Sequence, residues 1–218
     1  AVRDGWMVAG ILGCPVCRVE RVVSGGVVAW TAGDTATPSR SVAAAPDEAA
    51  VVRLAAQLAL AESGAPSVLC GDFGLLAPAL AAALAPALAP ALAPALAPAL
   101  APALTPALVL APGGIAIAPL VLLDPPDDSA AGLATIIRGA PRVPFAERSV
   151  RAIALDAHHA APERIGFAVR TLAHGGRLVA AADVPLPTGI RELARDATQW
   201  VGERIAEPVP ITLGRARR

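Results

Sequence analysis

The spacing of apolar positions changes several times along the chain, and each change marks an element. Val and Trp recur in two short β-like runs, 19–23 and 27–30, joined by Ser24-Gly25-Gly26, a pattern that predicts a small hairpin. Residues 34–46 are mostly Thr, Ser, Ala and Pro without apolar period, as in a linker. Pro46-Asp47-Glu48 then leads into Val51, Val52, Leu54, Ala55, Leu58 and Leu60, a helical spacing with acids in the first turn, where the helix dipole favours them. Gly64-Ala65-Pro66 ends that helix. Ser67-Val68-Leu69-Cys70 reads as a short buried strand running into Gly71-Asp72-Phe73-Gly74, the strand-to-glycine-turn opening of a βαβ unit.

From Leu76 to Leu108 the pattern collapses into a four-residue repeat, Ala-Leu-Ala-Pro, with Pro86, Pro90, Pro94, Pro98, Pro102 and Pro106 in step. Each interior proline removes a backbone donor and costs a helix roughly 3 kcal/mol, so an extended or broken insertion is expected, at about residues 77–112. Beyond it, apolar runs at 115–123 (ending at Asp124), 135–137, 152–155 and 178–181 predict strands, with a helix at 162–173. Two more strands are expected at 200–205 and 209–213, closing the sheet with an antiparallel hairpin. Short apolar strands alternating with helices predict an α/β domain over 47–218, its mostly parallel sheet covered on both faces. Residues 1–33 form a separate hairpin segment in this reading, and 34–46 the linker.

Composition narrows the classes. The 18 basic and 18 acidic residues cancel, so no field draws in nucleic acid or an anionic membrane. All the basic residues are Arg, and Lys, Asn and Tyr are absent, a codon bias that also inflates Ala and Pro. The uncharged stretch from Gly74 to Leu123 exceeds the roughly 20 residues of a bilayer span, but its regular prolines and missing aromatic and basic anchors disfavour a membrane role. Three cysteines build no disulfide framework, so a reducing cytoplasm is expected. The chain opens with Ala1 and no signal-peptide pattern, as expected of a lost or trimmed start. Serine-triad, Walker and metalloprotease patterns are absent.

Val143-Pro144-Phe145, then Ser149 to Asp156, then Arg170-Thr171-Leu172-Ala173-His174-Gly175-Gly176-Arg177-Leu178-Val179 resemble, over about forty residues, the second half of class I S-adenosylmethionine-dependent methyltransferases. The resemblance implies a Rossmann-like fold, with the cofactor loop at Gly71, Asp72 and Gly74 and a ribose-binding acid at Asp124. Asp72 as a helix N-cap, and Asp127 or Asp128 in place of Asp124, are alternatives. His158 and His159 follow the fourth strand, on the edge where α/β enzymes keep their chemistry, and are candidate general bases. The chain departs from the family at Phe73, which intrudes between the loop glycines. It departs again at Arg138-Gly139-Ala140, which lacks an adenine-contacting Asp, and at Arg151, which stands where an Asp is common. Together these imply weakened cofactor binding.

The first residues, through Leu12-Gly13-Cys14-Pro15-Val16-Cys17, resemble half of the zinc ribbon found before some methyltransferase-like proteins and in methyltransferase activator subunits. Cys14 and Cys17 would be metal ligands only if a second pair were supplied, since structural zinc takes four. Two functions of different class are therefore expected: a methyltransferase-like protein using S-adenosylmethionine, or a non-catalytic scaffold that binds a partner protein. A membrane-associated role through the repeat is a third.

Overall fold

A computed structural model describes residues 2–3, 6–7, 9–13, 20–24, 27–29, 47–60, 65–83, 120–126, 134–140 and 144–206. The Cys14–Cys17 pair, the linker, the repeat beyond residue 83 and the strand expected at 209–213 lie outside these residues.

Val2–Arg3 (β1) and Trp6–Met7 (β2) pair with each other. The other described strands make one sheet of ten. In chain order they are Ala9–Gly13 (β3), Glu20–Ser24 (β4), Val27–Ala29 (β5), Ser67–Cys70 (β6), Leu120–Leu123 (β7), Thr135–Arg138 (β8), Val150–Leu155 (β9), Leu172–Ala181 (β10), Ile190–Arg195 (β11) and Gln199–Arg204 (β12). Across the sheet the order is β11-β12-β10-β9-β6-β7-β8-β5-β4-β3. The run from β10 to β5 is parallel throughout. Its core, β8-β7-β6-β9-β10, is the 3-2-1-4-5 order of a doubly wound Rossmann-like sheet, with the topological switch between β6 and β9. β4 and β5 pair antiparallel as the expected hairpin, Val23 opposite Val28, and β5 joins the main sheet beside β8.

Side-chain alternation sends the two faces of the sheet to different helices. Val68, Cys70, Leu123, Ile153 and Leu155 pack with Ile165 and Ala168 of Pro162–Thr171 (α3). Leu69, Leu122, Ala152 and Ala154 pack on the other face with Val51 and Leu54 of Glu48–Gln57 (α1), and with Ala77 and Leu80. All four β6 residues are buried, as a strand covered on both sides must be. Asp47 caps α1, its carboxylate accepting from the Ala49 N–H at 3.1 Å.

The chain leaves β6 in a 3-10 turn, Gly71–Leu76, and continues as α-helix over 77–83 (α2). The first residues assigned to the insertion are therefore helical. Pro78 falls in the first α-helical turn, where a missing N–H is tolerated.

Two expectations about the later elements shift. α3 stops at Thr171, two residues before the expected end, because Leu172 already pairs with Val150 as the first residue of β10. Gly175, at φ +72°, then lies in the irregular stretch between the Leu172 and Arg177 pairings. The closing hairpin exists, but the partner of β12 precedes it: β11 pairs antiparallel with β12. Trp200 anchors this hairpin, fully buried with Nε1 donating to the Val184 carbonyl at 2.9 Å.

Candidate functional site

In register, Cys70 of β6 lies between Leu123 of β7 and Leu155 of β9, and Leu123 lies beside Ile137 of β8. The residues that follow, Gly71, Asp124 and Asp156, therefore emerge in a row on the carboxyl edge, flanking the switch point where open α/β sheets keep their crevice.

Four charged groups meet there. His159 Nδ1 is 2.6 Å from Asp156 Oδ1, and its Nε2 faces Asp124 Oδ2 at 3.7 Å, an ion contact too long for a direct hydrogen bond. The Asp156 carboxylate also accepts from the His159 N–H at 2.8 Å and, through Oδ2, from the Asp72 N–H at 2.9 Å. Asp124 sits in left-handed backbone, φ +48°, with its N–H donating to the Ile137 carbonyl at 2.9 Å. Its Oδ1 accepts from the Gly139 N–H at 2.5 Å. Arg164, near the start of α3, donates to the Ala140 carbonyl at 3.0 Å and places its other amino group 3.8 Å from Asp124 Oδ2. The turns after β6, β7, β8 and β9 are thus tied to one another.

The electrostatics follow. Asp124 and Asp156 are both buried. Burial works to raise their pKa values, but the facing His159 and the backbone donors outweigh it and hold both below the ordinary carboxylate range. Burial works to lower that of His159, and the two carboxylates outweigh it, pushing His159 up to about 9. Near neutral pH the ring is a cation between two anions, with no lone pair to accept a proton. Arg164 supplies the second positive charge, so the four charges balance as a buried cluster must. Burial drives the Cys70 thiol up and removes it as a nucleophile.

The residues expected from sequence separate by role. Gly71, at φ +60°, brings its backbone directly beneath Asp156: a Cβ there would lie 2.0 Å from Oδ2 and 2.6 Å from His159 Nδ1. Gly74 serves packing, since its Cβ position is 2.8 Å from Pro125 Cβ. Asp72 is exposed, and its backbone N–H joins the cluster; Cys70 holds the N-cap position. Asp124 stands where expected. His159 joins it, whereas His158 is exposed. Phe73 turns toward the core formed with α1 and α2, which explains why a bulky residue is accommodated in this loop. Asp156 and Arg164 were not singled out from sequence. The signal for Asp156 was available: Ala152-Ile153-Ala154-Leu155-Asp156 is an apolar run ended by an acid, the same pattern that marks Asp124.

An adenosine cofactor would need the space over Gly71 and a free edge on Asp124. The misfit lies at the first: Asp156 and His159 occupy the side of the Gly71 turn that a Cβ would take, whereas Asp124 bonds Gly139 through Oδ1 and holds its neighbouring cations only at 3.7 and 3.8 Å from Oδ2. Among the described residues no group of three or more His, Cys, Asp or Glu is arranged to hold a metal ion, and no helix is long and apolar enough to cross a membrane.

No family model and no curated protein matches the chain. Solved structures do resemble it. A methyltransferase from Geobacter sulfurreducens has TM-score 0.37 and 13% identity over 76% of this chain and 91% of its own. A SAM-dependent methyltransferase from Aquifex aeolicus has TM-score 0.35 and 12% identity over 72% and 97%. A geranyl diphosphate methyltransferase, solved with GPP and sinefungin, has TM-score 0.33 and 13% identity over 65% and 53%. The strand order by itself makes the fold Rossmann-like. At these TM-scores the neighbours add nothing to that reading.

Proposed function

We propose that this chain is a methyltransferase-like protein that does not transfer methyl groups itself, a non-catalytic scaffold for a partner protein. One observation carries the reading: the Asp156 carboxylate, clamped by His159, rests on the Gly71 turn where a cofactor would approach the backbone. Two side chains exposed on the outer strands suit such a role. Ile11 and Val22 are cross-strand partners of β3 and β4, 61% and 63% exposed, an apolar pair that a partner could cover. Calorimetric titration with S-adenosylmethionine tests the reading: no saturable heat up to millimolar ligand is expected, and micromolar binding would overturn it.

A second reading, that the chain binds S-adenosylmethionine, is favoured by the position of Asp124. It ends the strand next to β6, where dinucleotide-binding sheets place the acid that meets ribose hydroxyls. Binding would require the Asp156–His159 pair to swing out, with Gly71, Asp72 and Gly74 then lining the ligand, and the same titration decides between the readings. Zinc belongs to the proposal only if a second ligand pair completes Cys14 and Cys17. Metal analysis after dialysis is expected to find well under one zinc per chain. A reducing, cytoplasmic setting is proposed on cysteine usage alone.

A further inference from the structure

The filled crevice has an unusual construction. Its filling comes from a single turn, since Asp156 and His159 are three residues apart and are joined by a backbone bond, His159 N–H to the Asp156 carbonyl at 3.1 Å. The floor and far wall are held independently. Cys70 and Leu155 are fully buried in the sheet beneath. Asp124 is fixed by Ile137 and Gly139. Phe73 faces the other way, into the core. Gly71 keeps a side-chain-free, left-handed backbone in contact with the filling carboxylate. The glycine and the filling form one arrangement, since any Cβ at position 71 would collide with the Asp156 carboxylate and the His159 ring.

We propose that Asp156 and His159 form an internal plug in an otherwise preformed nucleoside crevice, and that removing both side chains opens it to an adenosine ligand. The inference rests on the reading that the wild-type crevice is closed. Truncation of both residues removes one negative and one positive charge, leaving the local balance unchanged, with Asp124 and Arg164 still facing each other at 3.8 Å. It also frees the Asp72 N–H and exposes the Gly71 backbone opposite Asp124, a donor on one side and a hydroxyl acceptor on the other. These suit a ribose-bearing ligand.

The test is calorimetric titration of S-adenosylmethionine into the wild-type chain, the Asp156→Ala/His159→Ala double variant and Asp156→Asn, each first shown to melt cooperatively. Asparagine keeps the shape of the plug and an acceptor for the Asp72 N–H, so it serves as the closed control. The expected result is saturable binding by the double variant, at least tenfold tighter than any binding by wild type or Asp156→Asn. A cooperatively folded double variant that binds no better than wild type overturns the plug while leaving the non-catalytic reading intact. Tight binding by wild type overturns that reading and the plug with it. Equal gain in Asp156→Asn overturns the plug as well, because charge and not filled volume would then be the barrier. Should the double variant fail to fold, Asp156→Ser/His159→Ser, which truncates both side chains while keeping a small polar group at each position, takes its place with the same outcomes.

Discussion

Gly71 is the residue whose identity the site constrains most tightly. Its φ of +60° costs any L-residue about 1 kcal/mol or more, and a Cβ would stand 2.0 Å from Asp156 Oδ2. Gly71→Ala is expected to destabilise the fold by about 2 kcal/mol or more in urea denaturation, since both backbone and carboxylate must shift. A loss within error would mean that the carboxylate does not rest on this turn. His159 sets a pH signature. Its folded pKa, raised to about 9, lies above the ordinary value of 6.5, so its contribution is complete below about 6.5 and is lost as pH rises through 9. The two lowered carboxylates contribute with the opposite sign, above their ordinary values, and their share is lost only in acid. Thermal melts should show wild-type stability falling between pH 7 and 10, with His159→Gln flattening that decline and lowering stability at pH 7. Sequence made Asp124 and His159 legible because each follows an apolar run at an expected strand end. Asp156 carried the same mark, but its importance depends on a contact across 84 positions, to Asp72, that no local pattern encodes.

The elements show why some boundaries were readable and others were not. β6, β7 and β9 stand out as apolar runs because parallel strands buried on both faces admit little else. β11 does not: Arg191, Glu192, Leu193, Ala194 and Arg195 are all exposed, so the segment has no buried face to alternate with, and only its pairing with β12 makes it a strand. Its charges also suit an edge, where they discourage pairing with other chains. The junction of α3 and β10 departs from the expected helix end at 173 for a different reason. Gly175 and Gly176 serve an irregularity inside the strand, with the Gly176 Cβ position 2.9 Å from the Arg151 carbonyl. Arg204 of β12 holds that junction, its buried guanidinium donating to the carbonyls of Arg170 and Leu172. Arg204→Ala withdraws the buried guanidinium from both carbonyls, that of Arg170 keeping the Arg148 N–H at 3.1 Å, and is expected to cost about 1–3 kcal/mol, read as a lower urea midpoint with unchanged slope. A cost below 0.5 kcal/mol, roughly the range of surface substitutions, would contradict the capping role.

For the whole molecule, the pairing of β6 with β7 across the repeat matters most. Ser67 to Cys70 match Leu120 to Leu123 residue for residue, so the long insertion leaves the sheet uninterrupted. Loop closure grows only slowly with length, about 0.6 kcal/mol per doubling, so replacing residues 86–106 with a short Gly-Ser linker should move Tm by no more than about 3 °C. Loss of the cooperative melt would show that the repeat contributes to the core. The turns after β6, β7 and β9 converge on one charged imidazole, and its ionisation is the most direct thing to measure. The chain has only three histidines, so nitrogen NMR of wild type against His159→Gln assigns the ring. At pH 7.5 both ring nitrogens of His159 should carry protons and titrate near pH 9, in line with the shift the two carboxylates impose. A neutral ring titrating near 6.5 would contradict the closed crevice.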